Sequence, residues 1–108
     1  MVKQGDIIKL DLSPTVGHEQ SSYRPVVVVS NDFAISKTNV VYVAPITNAI
    51  RHFPLHVVLD NQTKTTGEIL CEQVKAVDLT ARQFTLIEHL PVNILEKVLT
   101  CIIACFDA

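Results

Sequence analysis

An excess of positive charge is missing from this chain. Nine Lys and Arg stand against eleven Asp and Glu, a formal net charge of -2 over 108 residues, whereas a protein that coats nucleic acid neutralises many phosphates at once. Any anion site is therefore local. Also missing is an apolar run long enough for a bilayer span. The amino end, Met-Val-Lys-Gln-Gly-Asp, lacks the apolar core of a signal peptide, and the expectation is a soluble, cytoplasmic protein with no membrane partner. Cysteine is scarce. Cys71, Cys101 and Cys105 form an odd set without the paired spacing of a zinc site or a disulfide framework, so no metal and no cofactor is expected. Cys101 and Cys105, four apart on a helical pattern, read as small buried hydrophobes. At this length the chain predicts one domain over residues 1–108.

What is present is a series of short strand patterns. "DIIKLDL" alternates Ile8, Leu10 and Leu12 against Lys9 and Asp11, the period of a half-buried strand. "SPTVG" breaks it with turn residues. Val26 to Ser30 is a β-branched run that predicts a strand buried on both faces, placed behind a proline that cannot donate to a ladder. "NVVYVAPIT" is another strand, in which Pro45 implies an edge, a bulge or termination. "FPLHVVL" sets Phe53, Leu55, Val57 and Leu59 on one face, with Pro54 and His56 on the other. After the turn-rich "DNQTKTTG", "EILCEQVKAVDL" reads as one strand of mixed sides and "FTLIEHL" as a shorter one. No helical pattern alternates with these strands, which fits a small, mainly β barrel and not a βαβ fold. Only the tail differs. From Pro91 onward, Val92, Leu95, Leu99, Ile102 and Phe106 recur at three- and four-residue steps, predicting one C-terminal amphipathic helix.

The stretch "GHEQSSYRPVVVVSND" sets a base, an acid, an amide and a guanidinium (His18, Glu19, Gln20 and Arg24) directly before the buried valines. That gathering has the composition of a site. By itself Arg24 admits two readings, a phosphate-binding fork or an exposed charge at a strand start paired with Glu19. Pro25 restricts Arg24 to extended backbone. Thr47 equally admits a hydroxyl that donates to phosphate or an ordinary strand threonine.

In order along the chain, the Gly-x-Glu-Gln loop at Gly17 to Gln20, the Arg24-Pro25 step, the Pro-x-Thr at Pro45 to Thr47 and the Glu72-Gln73 step resemble the MazF/PemK/Kid family of toxin endoribonucleases. The likeness runs from Gly5 to about Asp78. It implies a partly open, SH3-like barrel with a C-terminal α-helix, a homodimer, and metal-independent, sequence-specific cutting of single-stranded RNA. It also implies a cognate antitoxin whose disordered tail covers the site.

Metal-free cutting makes the nucleotide's own 2′-hydroxyl the nucleophile. The protein then has to remove that proton, protonate the departing 5′-oxygen and steady the charge growing on phosphorus. The resemblance assigns Arg24 and Thr47 to the phosphate. Strand parity puts Glu72 with Leu70, Val74 and Ala76 on an apolar side, where a carboxylate with a raised pKa is a plausible base. In some members an acidic residue here is assigned catalysis with an arginine two positions earlier, and this chain has Leu70 there. His18 is a candidate phosphate or base contact, where many relatives carry serine. Glu19, Gln20 and Gln73 are expected to hold the loop and Arg24 in place, and Arg51 to make a second phosphate contact. His52, His56 and His89 read as surface strand positions.

With four Phe, two Tyr and no Trp, base stacking has few candidates. Tyr23 and Phe33 are the expected exposed ones, and Phe53, Phe84 and Phe106 the expected core. The gyrase-poisoning toxin CcdB, of related fold, depends on a tryptophan-bearing C-terminal tip, which "ACFDA" does not supply. A catalytically silent barrel that only binds RNA or an antitoxin stays open because of Leu70.

Overall fold

Pro25 and the valines behind it lie in the middle of the molecule, and that placement decides what surrounds them. The computed structural model describes residues 1–12 and 23–107. Strand β2 (Tyr23–Val28) runs between β1 (Asp6–Asp11) and β3 (Val40–Thr47). Val26, Val27 and Val28 are completely buried, as the sequence predicts for a strand covered on both faces. Beyond β3 come β5 (Glu68–Leu70) and β4 (His56–Val58). Beyond β1 comes β7 (Phe84–His89), and β6 (Lys75–Asp78) pairs with the first half of β3. Every pairing is antiparallel. Among the described residues β4 and β7 end the sheet without meeting, so the barrel is partly open.

Two apolar clusters sandwich the sheet. Ile7, Val27, Ala44, Ile46 and Ile69 face Leu90 and the helix α2 (Val92–Ala104), while Ile8, Leu10, Val26, Val28, Val41 and Val43 form the second cluster with Val77 and Ile35. Neighbouring residues of one strand thus serve opposite cores, the period-2 consequence of the pleat. Ile7 and Ile8 both sink because one faces each cluster, and the register with β7 shifts between them.

Several expectations change. Pro45 sits inside β3, a central strand. The N–H of Tyr42 donates to Ser30 Oγ and its carbonyl accepts from Val29 N–H, so Tyr42 turns its polar groups toward β2. Alternation then turns Pro45 N the other way. On that side β6 stops at Val43 and β5 begins at Ile46, so no ladder donor is needed where the proline lacks one. "EILCEQVKAVDL" is two strands, β5 and β6, broken by a 3₁₀ turn at Cys71–Gln73. "FPLHVVL" is a strand only over His56–Val58, because His56 N–H closes a turn on Phe53 O.

The helix face is also rotated from the expected one. Ile94, Leu95, Val98, Leu99, Cys101 and Ile102 pack on the first cluster, whereas Val92 and Phe106 are exposed. Phe53 and Phe84 are exposed too, so the expected aromatic core is aliphatic instead; Tyr23 and Phe33 are exposed as expected. Cys105 is half-buried, and burial pushes the fully covered Cys71 thiol up.

A short helix, α1 (Asp32–Lys37), stands between β2 and β3 where no helix was expected. Six residues are too few to show a helical period, but its local signals are sound. Asn31 caps it by accepting from Ala34 N–H at 2.8 Å, Asp32 and Lys37 match the helix dipole, and Ile35 anchors it in the second cluster. Asn31→Ala is expected to lower unfolding free energy by about 1 kcal/mol, measured by urea titration.

Candidate RNA-cutting site

The strand register builds the site as one row across the sheet. Leu10 lies opposite Arg24, Thr47 opposite Glu68, and Glu68 opposite Val58. Between them, Val26 pairs with Pro45, and the same antiparallel register, extended two residues past this last pair, would set Arg24 opposite Thr47. Row partners share a face, and this face is the one that buries Leu10, Val26 and Val28. Apolar cover therefore gives way, at the start of β2 and the end of β3, to a guanidinium, a hydroxyl and a carboxylate.

Each group is held. Arg24 is half-buried and an Nη1 hydrogen donates to the Ile46 carbonyl at 3.3 Å, which ties the fork to the residue before Thr47. Thr47 ends β3 with little exposure, and its hydroxyl accepts from Ala49 N–H at 3.2 Å while retaining its own hydrogen to donate. Gly67, with φ of 117°, lets β5 begin hard against Thr47. Glu68 has no exposure, and its Oε2 accepts from the backbone N–H of Arg51 at 2.9 Å and of His52 at 3.1 Å. His52 itself takes a left-handed φ of 52° in the same loop. The His52 N–H holds the Glu68 carboxyl below its ordinary value against the opposing effect of burial, helped by His56 and the Arg51 N–H.

Arg24 and Thr47, expected at the phosphate, are thus brought together. Arg51 is exposed on the loop after β3, its backbone fixed to Glu68. Gln73 is half-buried in the 3₁₀ turn. Glu72 departs from expectation. The same turn lifts it off the strand, so it does not share the apolar parity of Leu70 and Val74; it is exposed and its Oε2 lies 3.0 Å from His56 Nε2. His56 is no surface residue either, since its side chain is only 3 % exposed between Glu68 and Glu72. His89 lies exposed on β7 as expected, while His52 is on a loop.

Tyr23 is not part of the row. It pairs with Asp11 on the opposite face, where Lys9 Nζ stands 5.4 Å from its ring centre, and it lines a separate cleft of about 560 Å³ with Asp11, Arg82 and Gln83. His18, Glu19 and Gln20 lie outside the described residues. Among the described residues no three His, Cys, Asp or Glu side chains are grouped to hold a metal ion. Glu68 and His56 are the site residues that the sequence reading missed. The usable signal was a carboxylate in step with Leu70, applied to Glu72 when it belonged to Glu68.

Comparison with known proteins shows the family and the fold. The family described as PemK-like, MazF-like toxin of type II toxin-antitoxin system matches residues 3–106. Endoribonuclease EndoA of Bacillus subtilis is 37 % identical over 103 residues, covering 91 % of this chain and 88 % of EndoA. Endoribonuclease PemK of Escherichia coli is 34 % identical over 102 residues, covering 91 % of this chain and 77 % of PemK. The crystal structure of MazF from Deinococcus radiodurans superimposes with a TM-score of 0.90 over 97 % of this chain and 96 % of its own, at 23 % identity, which is a likeness of fold.

Proposed function

The chain belongs to the PemK-like, MazF-like toxins of type II toxin-antitoxin systems and is an endoribonuclease of that family; we propose that it cuts single-stranded RNA at the row formed by Arg24 and Thr47. The observation that carries this reading is the hydrogen bond from Arg24 to the Ile46 carbonyl, which brings the guanidinium to the residue before Thr47. The Arg24 fork meets two phosphate oxygens and holds charge as it grows on phosphorus. Thr47 donates to a phosphate oxygen, and Glu72 takes the 2′-hydroxyl proton. The 2′-oxygen bonds to phosphorus, the bond to the 5′-oxygen breaks, and that oxygen leaves with a proton taken from solvent water. The products are a 2′,3′-cyclic phosphate and a 5′-hydroxyl.

His18, Glu19, Gln20, Tyr23, Arg51 and Gln73 remain the substrate-contacting or loop-holding candidates of this reading. Tyr23, on the far face, serves nucleotides beyond the cut. We read residues 1–108 as a single toxin domain that acts in the cytoplasm, where its RNA is; among the described residues no helix is long and apolar enough to cross a membrane. The partner is a cognate antitoxin, as MazF of Deinococcus radiodurans is solved with MazE. An acidic, disordered antitoxin tail suits the positive end of the row. A second copy of the chain is the further partner: the sheet ends in β7, whose Phe84, Leu86 and Ile87 are exposed.

The test is a defined single-stranded RNA incubated with the protein in excess chelator. Cleavage is expected to persist and to leave the cyclic phosphate. Activity that vanishes with chelator and returns with magnesium would remove this mechanism, and an absence of cutting under either condition would leave a barrel that only binds.

A further inference from the structure

A carboxylate without any solvent exposure is costly unless every acceptor site is met. Glu68 meets this demand with two backbone N–H groups on Oε2 and, on Oε1, the Nδ1 of His56 at 2.7 Å. The same ring reaches Glu72 Oε2 with Nε2 at 3.0 Å. Ionised carboxylates only accept, so a ring that donates to both of them would have to carry hydrogen on both nitrogens. The ring is further fixed by Phe53, whose edge meets it at 5.1 Å and 64°. Access differs along this chain of groups: the side chain of Glu68 is 0 % exposed, that of His56 3 %, and that of Glu72 29 %. Only the Glu72 end opens outward, while the Glu68 end lies in the row with Thr47.

We propose that Glu68 and His56 are positioning residues which clamp the Glu72 carboxylate at the RNA site, His56 serving as its cation and Glu68 as the buried anchor. The inference rests on the endoribonuclease reading above. His56 pairs across the strands with Leu70, so the ring passes an apolar side chain to reach the acid two residues on. The positive partner that Leu70 does not supply is delivered from the neighbouring strand. Because Oε2 of the same anchor pins Arg51 and His52, one carboxylate sets both the loop that follows Thr47 and the direction of Glu72.

Glu68→Gln separates charge from shape. Its amide oxygen keeps the two backbone N–H bonds, and its NH₂ turns Nδ1 into an acceptor, leaving a neutral ring that still donates from Nε2. The experiment uses the full chain. Ring nitrogens of His56 are observed by ¹⁵N NMR at pH 7, and kcat and KM on a defined single-stranded RNA are measured for the parent, Glu68→Gln and His56→Gln, with thermal melts for each.

The parent ring is expected to carry hydrogen on both nitrogens and Glu68→Gln to lose the one on Nδ1. Both variants are expected to lose about 10- to 100-fold in kcat, the scale of a misplaced catalytic group, with KM within about twofold. A parent ring lacking hydrogen on Nε2, or a folded His56→Gln turning over at the parental kcat, would overturn the proposal. If His56→Gln does not fold, the parent spectrum and Glu68→Gln decide. If no variant or parent cuts RNA, the endoribonuclease reading fails, and the ring spectra still judge the clamp.

Discussion

Arg24→Lys is expected to lose most RNA-cutting activity, nearly as much as Arg24→Ala, although lysine keeps the charge. The argument is geometric. Arg24 ties to the Ile46 carbonyl at 3.3 Å through one guanidinium nitrogen, and the planar fork is what allows a single side chain to brace on the strand and face a tetrahedral phosphate together. An ammonium is a point with three rotating donors and no plane to share between the two. Both variants are expected to stay within about 1 kcal/mol of the parent in unfolding free energy, because Arg24 lies at the half-buried start of β2 and the valines that carry the core begin two residues later. Initial rates on a defined RNA, beside urea or thermal melts, check both halves. Near-parental cutting by a folded Arg24→Ala would move the phosphate cation elsewhere, first to Arg51.

Gly67→Ala is expected to be the most damaging small substitution outside the row. The backbone there has φ of 117°, and an added Cβ would stand 2.2 Å from the Thr47 carbonyl oxygen and 2.8 Å from its carbon. These are main-chain atoms of a central strand, paired on this side with Glu68, so they cannot yield as a flexible side chain would. Strained backbone and overpacking cost about 1–3 kcal/mol each, which together give a loss of roughly 2–6 kcal/mol. For a domain of this size that corresponds to a drop of about 10 °C or more in melting temperature. Where the protein still folds, Thr47 and Glu68 are pushed apart and RNA cutting falls with them. A Gly67→Ala protein that melts within about 2 °C of the parent would contradict the close approach.

Local pattern carried the reading of strands and failed where distance along the chain mattered. β1 and the valine strand were legible because alternation and β-branching are written in consecutive residues. The C-terminal helix was legible in span and its buried face in part, through Leu95, Leu99 and Ile102, whereas Ile94 and Val98 mark its centre only once the sheet is known to lie beneath them. Pro45 was misjudged because its harmless direction depends on where β6 stops and β5 starts, facts of pairing that no short window contains. The site divides in the same way. Arg24 and Thr47 are expected from motifs that sit in the chain as words. Glu68 and His56 were missed because their meaning arises from cross-strand contacts over 12 residues and from a backbone turn at His52. Glu72 was assigned to a strand, and one 3₁₀ turn was enough to carry it from an apolar side to an exposed one.

The most direct test of the account replaces a single 2′-hydroxyl. A cut site is first mapped on a defined single-stranded RNA, and the nucleotide on the 5′ side of that phosphate is then made 2′-deoxy in an otherwise identical strand. The 2′-oxygen is the nucleophile in this account, so the parent protein should cut the all-ribose strand, leave a 2′,3′-cyclic phosphate, and leave the deoxy strand intact at that position over the same time. Cutting of both strands at the same position and rate would contradict it, because the oxygen that attacks phosphorus would then have come from elsewhere.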